Sequence, residues 1–196
     1  GGSFVNNAFG RRFKRCITLR EPSMAGHLTW MEYRDAFAAL GQDIGDYSCF
    51  SVIRNPWAWH VSWYNYVRKD TGGRSSGMPQ EHALFQKMSF SDYLQWLEDP
   101  LDTGRGNQYY LKQISDWLID ESGTIRVADI LRQETLRADL EKFRDKHHLL
   151  LRIPKRMVNQ STEGDYRRAY SDADVDRVAR RHARDIEIFG YRFAAE

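Results

Sequence analysis

Apolar positions in this chain fall in short runs at two periods. Ser48–Ile53, with Cys49, Phe50, Val52 and Ile53, is a brief run of the kind that forms a buried strand. Arg54 stands where that strand would end. Asn55 is then a good N-cap and Pro56 a good first helical residue. Trp57, Val61 and Tyr64 follow at helical spacing and predict one apolar stripe. At about 100° per residue, Ser62 points nearly opposite that stripe, on the same side as Asn55.

The same patterns extend along the chain. Val5–Phe9 reads as a short helix and Cys16–Leu19 as a short strand. Trp30–Leu40 reads as a helix ending at Gly41. Thr71–Gly77 is a Gly/Ser-rich loop. Ser91–Leu97, capped by Ser89 or Ser91, and Asn107–Leu118 read as two further helices. Trp96, Tyr109, Tyr110 and Trp117 are most simply core residues. Gly123-Thr124 predicts a turn, Ile125–Leu131 a strand, and Arg132–Leu136 the start of a helix reaching Lys146. Ser171–Asp174 is a capping-box variant opening a last helix with Val175, Val178, Ala179, His182 and Ile186 on one stripe. Gly190 ends it, and His182 on that stripe reads as packed rather than catalytic.

With 196 residues, the chain is long enough for one domain with a substantial core. Its formal net charge of +2 argues against binding a nucleic acid polymer, which calls for a stronger basic excess. A small basic pocket for one anion is compatible with that balance. No apolar run approaches the length of a membrane span, and no signal-peptide pattern opens the chain. Cys16 and Cys49 lie in apolar surroundings and read as buried free thiols. His147 and His148 are adjacent, so they cannot share a helix face as an i,i+4 metal pair would, and no metal is assigned.

Arg54 at a strand end and Ser62 two turns into the next helix could face one anion, because a helix N-terminus offers free N–H groups and a favourable dipole. A solvated arginine and an exposed serine are the ordinary alternative. Arg54-Asn55-Pro56-Trp57 followed by Val61-Ser62-Trp63-Tyr64 resembles the 3′-phosphate-binding segment of sulfotransferases that use 3′-phosphoadenosine 5′-phosphosulfate (PAPS), most closely the carbohydrate-type, family 2 members. Ala58-Trp59 stands where many members carry Asp-Arg.

The resemblance extends over nearly the whole chain. Gly1-Gly2-Ser3-Phe4 is similar to the end of the family's phosphosulfate loop, and His27-Leu28-Thr29 to the segment holding its general base. Arg132, Glu134 and Leu136 resemble its Arg-x-Glu-x-Leu segment. Asn159, Ser161 and Arg167 resemble the late loop that folds over the nucleotide. Asp185–Phe193 resembles its C-terminal signature.

The resemblance implies an α/β fold: a three-layer, P-loop-kinase-like domain with a central parallel sheet flanked by helices. It implies a single domain over residues 1–196 that lacks its first strand and the Lys-Thr opening its phosphosulfate loop. It implies a PAPS-dependent sulfotransferase acting on a hydroxyl or amine of a carbohydrate or other small acceptor, with PAP as product and no metal. His27 would be the catalytic base. Gly1, Gly2, Ser3 and Phe4 would bind the 5′-phosphosulfate, Arg54 and Ser62 the 3′-phosphate, and Asn159, Ser161 and Arg167 the nucleotide. An ATP-dependent phosphotransferase of similar fold, or a non-catalytic nucleotide-binding module, stands as the alternative. A cytoplasmic location is favoured over a luminal secretory one.

Overall fold

The computed structural model describes residues 5, 8–9, 28–69, 79–98, 111–154 and 165–193. In chain order the elements are α1 (Trp30–Ala39), β1 (Phe50–Ile53), α2 (Pro56–Arg68), α3 (Pro79–Phe85), α4 (Phe90–Trp96), β2 (Asp129–Arg132), α5 (Leu136–Lys146), α6 (Asp172–Arg181) and α7 (Ala183–Phe189). Short 3-10 turns occupy Ile44–Asp46, Ser115–Trp117 and Tyr166–Ala169. The chain divides into two compact units, Gly1–Arg54 with Ile114–Gln160, and Asn55–Gln113 with Ser161–Glu196.

Local chemistry starts most of these helices. Thr29 and Glu32 form a reciprocal capping box at α1, and Ser89 and Asp92 do the same at α4. Asn55 caps α2 with Pro56 at its first position, and the Ser171 side chain accepts from Asp174 N at the start of α6. Gly41, just beyond α1, has φ +71°, and Gly190 closes α7 in the left-handed conformation with φ +67°. A side chain at either would meet backbone strain.

In the first unit β1 and β2 run parallel, with Phe50 opposite Asp129, Ser51 opposite Ile130, Val52 opposite Leu131 and Ile53 opposite Arg132. Leu136, Leu140 and Phe143 of α5 pack with Leu131, Ala8 and Leu151 into one apolar cluster. Phe50 stacks on Phe9 at 5.5 Å and meets Phe143 at 4.8 Å. The Asp139 carboxylate accepts from Arg132 N at 2.8 Å and from the Thr135 hydroxyl at 2.8 Å, pinning the β2–α5 junction. Asp129 binds Lys146 and lies 2.7 Å from His147 Nε2. Burial raises the Asp129 carboxyl, but hydrogen bonds from Lys146 and His147 outweigh that and leave it below its ordinary value.

Here the fold expectation is corrected. Among the described residues the sheet has two strands and the molecule is mostly helical, so the expected three-layer, P-loop-kinase-like domain with a central parallel sheet is not formed. The predicted run Ile125–Leu131 divides: Ile125 makes an isolated antiparallel bridge to Ile119, and only Asp129–Arg132 joins β1. Doubly wound folds take their nucleotide in the crevice at the carboxyl ends of several parallel strands, which two short strands do not build. The resemblance to PAPS-dependent sulfotransferases is therefore overturned, and with it the sulfo-transfer enzyme, the PAPS and PAP cofactor and product, and the carbohydrate acceptor. The alternatives of phosphotransferase and nucleotide-binding module rested on the same sheet and fall with it.

In the second unit α2 buries Pro56, Trp57, Ala58, His60, Tyr64 and Val67. The predicted stripe included Val61, which is half-buried, and omitted His60, which is fully enclosed. Tyr64, Phe85, Tyr93 and Trp96 form an aromatic cluster, with Phe85 4.9 Å from Tyr93 and 5.6 Å from Trp96. Trp57 Nε1 donates to Val175 O at 3.1 Å, and the Tyr170 hydroxyl donates to Trp57 O at 2.8 Å. Those bonds satisfy polar atoms that burial would otherwise strand. The last helix turns at His182, whose φ of −106° and ψ of 25° separate α6 from α7.

Of the two cysteines, Cys49 is a free, half-buried thiol whose ionisation burial pushes up, and Cys16 lies outside the described residues. Among the described residues no helix is long and apolar enough to cross a membrane.

Candidate functional site

Arg54 belongs to the first unit, directly after β1, and Ser62 and Arg167 belong to the second. Ser62 is half-buried on α2. Arg167 is held by its neighbour Asp165, with Nε 2.6 Å from Oδ1. Gly1, Gly2, Ser3, Phe4, His27, Asn159 and Ser161 lie outside the described residues.

The anion seat expected at the start of α2 is filled from within. Asn55 Oδ1 accepts from Trp57 N at 3.0 Å and from Ala58 N at 3.4 Å, and Asn55 itself is 5% exposed. Its amide donates in turn to Arg192 O at 2.9 Å. An N-cap of this kind uses the same N–H groups that would receive a phosphate.

The second unit instead contains a buried polar chain that the sequence reading did not assemble. His60 Nδ1 lies 2.9 Å from the Tyr93 hydroxyl, His60 Nε2 lies 2.9 Å from His182 Nε2, and His182 Nδ1 lies 2.8 Å from Asp185 Oδ2. All four side chains are buried, Tyr93, His60 and Asp185 completely. One proton arrangement satisfies every contact. Tyr93 donates to His60 Nδ1, His60 Nε2–H donates to His182 Nε2, and His182 Nδ1–H donates to Asp185. Burial holds His60 well below the ordinary histidine range, with the charges of His182 and Arg181 adding to the effect. The chain joins α2, α4 and the α6–α7 junction.

A second polar knot holds α4 against α6. Asp174 accepts from Ser91 Oγ at 2.9 Å and from Ser171 Oγ at 2.7 Å, and Arg177 Nη1 lies 3.2 Å away. Arg177 also pairs with Glu98 at 2.9 Å. Beside this knot the two helices leave a cleft of about 420 Å³. Its apolar wall is Leu94, Leu97, Leu111 and Val178. Arg177, Arg180 and Arg181 supply its cations, and Gln113 and Glu98 also line it, Glu98 being the one acid among the described residues.

The three guanidinium groups differ. Arg177 is committed to its two carboxylates. Arg181 donates to Leu97 O at 2.9 Å and to Leu111 O at 3.3 Å, so it ties down the cleft's backbone, and burial lowers its basicity. Arg180 is exposed at the rim, and no carboxylate pairs with it among the described residues. Arg180 and Arg181 both sit in the last turn of α6, where the partial negative end of the helix favours cations.

Two signals in the sequence bore on these groups. His60 falls three residues after Trp57 and four before Tyr64, so it belongs to their helical face. Asp174, Val178, His182, Asp185 and Phe189 likewise follow one face across α6 and α7 and are all buried. Among the described residues no group of three or more His, Cys, Asp or Glu side chains is arranged to hold a metal ion. Compared with known proteins, the chain matches no family model, no curated protein and no solved structure.

Proposed function

We propose that the second unit is a binding module for a small organic anion with an apolar body, such as an aromatic or aliphatic carboxylate or sulfonate. The observation that carries this reading is the cleft beside α4 and α6, which among the described residues is lined by four apolar side chains, three guanidinium groups and one carboxylate. Its volume of about 420 Å³ is of the size that small-molecule sites use. An apolar body would cover Leu94, Leu97, Leu111 and Val178. The acid group would meet Arg180, whose charge is not already compensated by a carboxylate among the described residues. Arg181 supports the site by fixing the carbonyls of Leu97 and Leu111.

The test compares two fluorescent probes of shared scaffold, anionic 8-anilinonaphthalene-1-sulfonate and neutral N-phenyl-1-naphthylamine, titrated into the full chain at pH 7.5. Arg180→Gln should weaken the sulfonate roughly three- to fivefold, the range of an exposed ion pair, and leave the neutral probe unchanged. Leu111→Trp should fill the cleft and weaken both. Equal sulfonate affinity in wild type and both variants would remove the assignment.

A further inference from the structure

The walls of that cleft and the buried histidine chain are built on the same helices. Leu94 follows Tyr93 on α4, and Val178 lies one turn before His182, whose backbone N–H donates to Val178 O at 2.9 Å. Arg181 is the immediate neighbour of His182. A change in the spacing between His60, Tyr93 and His182 therefore moves the cleft's own walls.

The chain tolerates a limited number of protons. As described, it holds its hydrogen bonds with both imidazoles neutral. One added proton is accommodated on His182 between Asp185 and His60, if His60 changes tautomer and turns Nδ1–H toward the Tyr93 oxygen. A second added proton places hydrogens on both Nε2 atoms, which face each other at 2.9 Å. That contact then becomes repulsive, and two cations share a buried site against one carboxylate.

We infer that the second of these protons, carried by His60, separates α2 from the α4–α6 pair and reshapes the cleft, so that acid releases whatever anion it holds. The release rests on the binding reading above; the reshaping does not. Other groups on the packed elements set the background. Burial depresses His60, and Arg181 opposes its protonation from the α6 side. Asp174 is engaged by Ser91, Ser171 and Arg177, and Asp185 by His182, so neither is turned to His60. On α3, Glu81 is buried and His82 is held by Val67 O at 2.7 Å. Asp92 on α4 is committed to Ser89, and Arg167 on the 3-10 turn to Asp165. Arg168 beside it adds positive charge, and Tyr170 keeps its phenol proton because burial raises it.

The sign follows from linkage. His60 has a lower proton affinity when enclosed than when opened, so the opened form gains on the closed one as pH falls below about 6.5, by at most tenfold per pH unit for one proton. The experiment follows the full chain from pH 7.5 to 4.5, with the same sulfonate probe, far-UV circular dichroism and the methyl NMR signals of Leu94 and Val178. The expected result is a loss of probe affinity of tenfold or more, with helix content retained and both methyl signals shifting along one titration. His60→Gln keeps an N–H donor toward His182 but cannot titrate, and should abolish both changes. If that variant does not fold, the wild-type His60 ring-nitrogen titration must coincide with the methyl shifts. Methyl signals that stay still while His60 titrates would overturn the inference. Probe binding that is intact and independent of pH would overturn the release step. Absence of probe binding at pH 7.5 would instead remove the binding reading, and the methyl signals would still decide the reshaping.

Discussion

The two units use opposite materials at their centres. The first encloses aliphatic and aromatic side chains, with Leu131, Leu136, Leu140 and Phe143 closing against Phe50 and Val52. Its notable charges, Asp129 with Lys146 and His147, sit at the end of the strand pair and α5. The second encloses the imidazoles of His60 and His182 and the carboxylates of Glu81, Asp174 and Asp185 among its aromatics. An apolar centre depends on volume and shape and is indifferent to pH. A buried polar centre depends on every partner being present and in one protonation state. The same burial that makes the second centre specific also makes it sensitive to acid.

The comparison can be tested hardest through a cavity. Leu140 is fully buried in the first unit, so Leu140→Ala should lower stability by about 2–5 kcal/mol, read as urea unfolding of the full chain. That loss should be the same at pH 7.5 and pH 5.5. A pH-dependent loss would mean that the first core is not the purely apolar structure described.

A smaller effect is expected from the second centre. Asp185→Ala leaves His182 Nδ1–H buried without its acceptor, at a cost of about 1–3 kcal/mol. This loss should vary with pH, since the chain of hydrogen bonds then holds protons differently. Invariance across pH 5.5–7.5 would count against a linked Tyr93–His60–His182–Asp185 chain.

The wild-type acid response sharpens the contrast further. His60 is depressed by burial, so the unfolded chain binds more protons below about pH 6.5. Stability from this group is complete above that value and is lost, by up to about 1.4 kcal/mol per pH unit, as pH falls toward the depressed value of the folded form. Asp129 is a carboxylate held below its ordinary value. Its contribution is present above the ordinary aspartate value of 3.8 and is lost as pH falls through the lower folded value. Amide hydrogen exchange should therefore show the helices of the second unit loosening between pH 6.5 and 4.5, while the β1–β2 pair holds until lower pH. Simultaneous loosening of both would break the comparison.

Helix starts were legible because capping is local. Thr29 reaches Glu32 N, Ser89 reaches Asp92 N and Asn55 reaches Trp57 N, all within three residues. Gly190 likewise announces the end of α7 by its backbone freedom. The segment around Arg54 and Ser62 resembled a phosphate-binding element for the same reason, since a strand end followed by a capped helix is written within a dozen residues. Those residues do not state how many strands lie alongside. Ile125 has the composition of its neighbours in the predicted strand, yet it pairs with Ile119 because that partner is close in the folded chain.

By itself, then, the sequence determined where α1, α2, α4 and α6 begin and where α7 ends, because those depend on interactions between residues a few positions apart. Only the tertiary structure decided that the sheet has two strands among the described residues, and that His60 and His182 meet across 122 positions. The cleft beside Arg180 belongs to the second group as well. Its walls come from α4, from Leu111 and from α6, and nothing along the chain sets their distances until the packing around Asp174 and Arg181 brings them together.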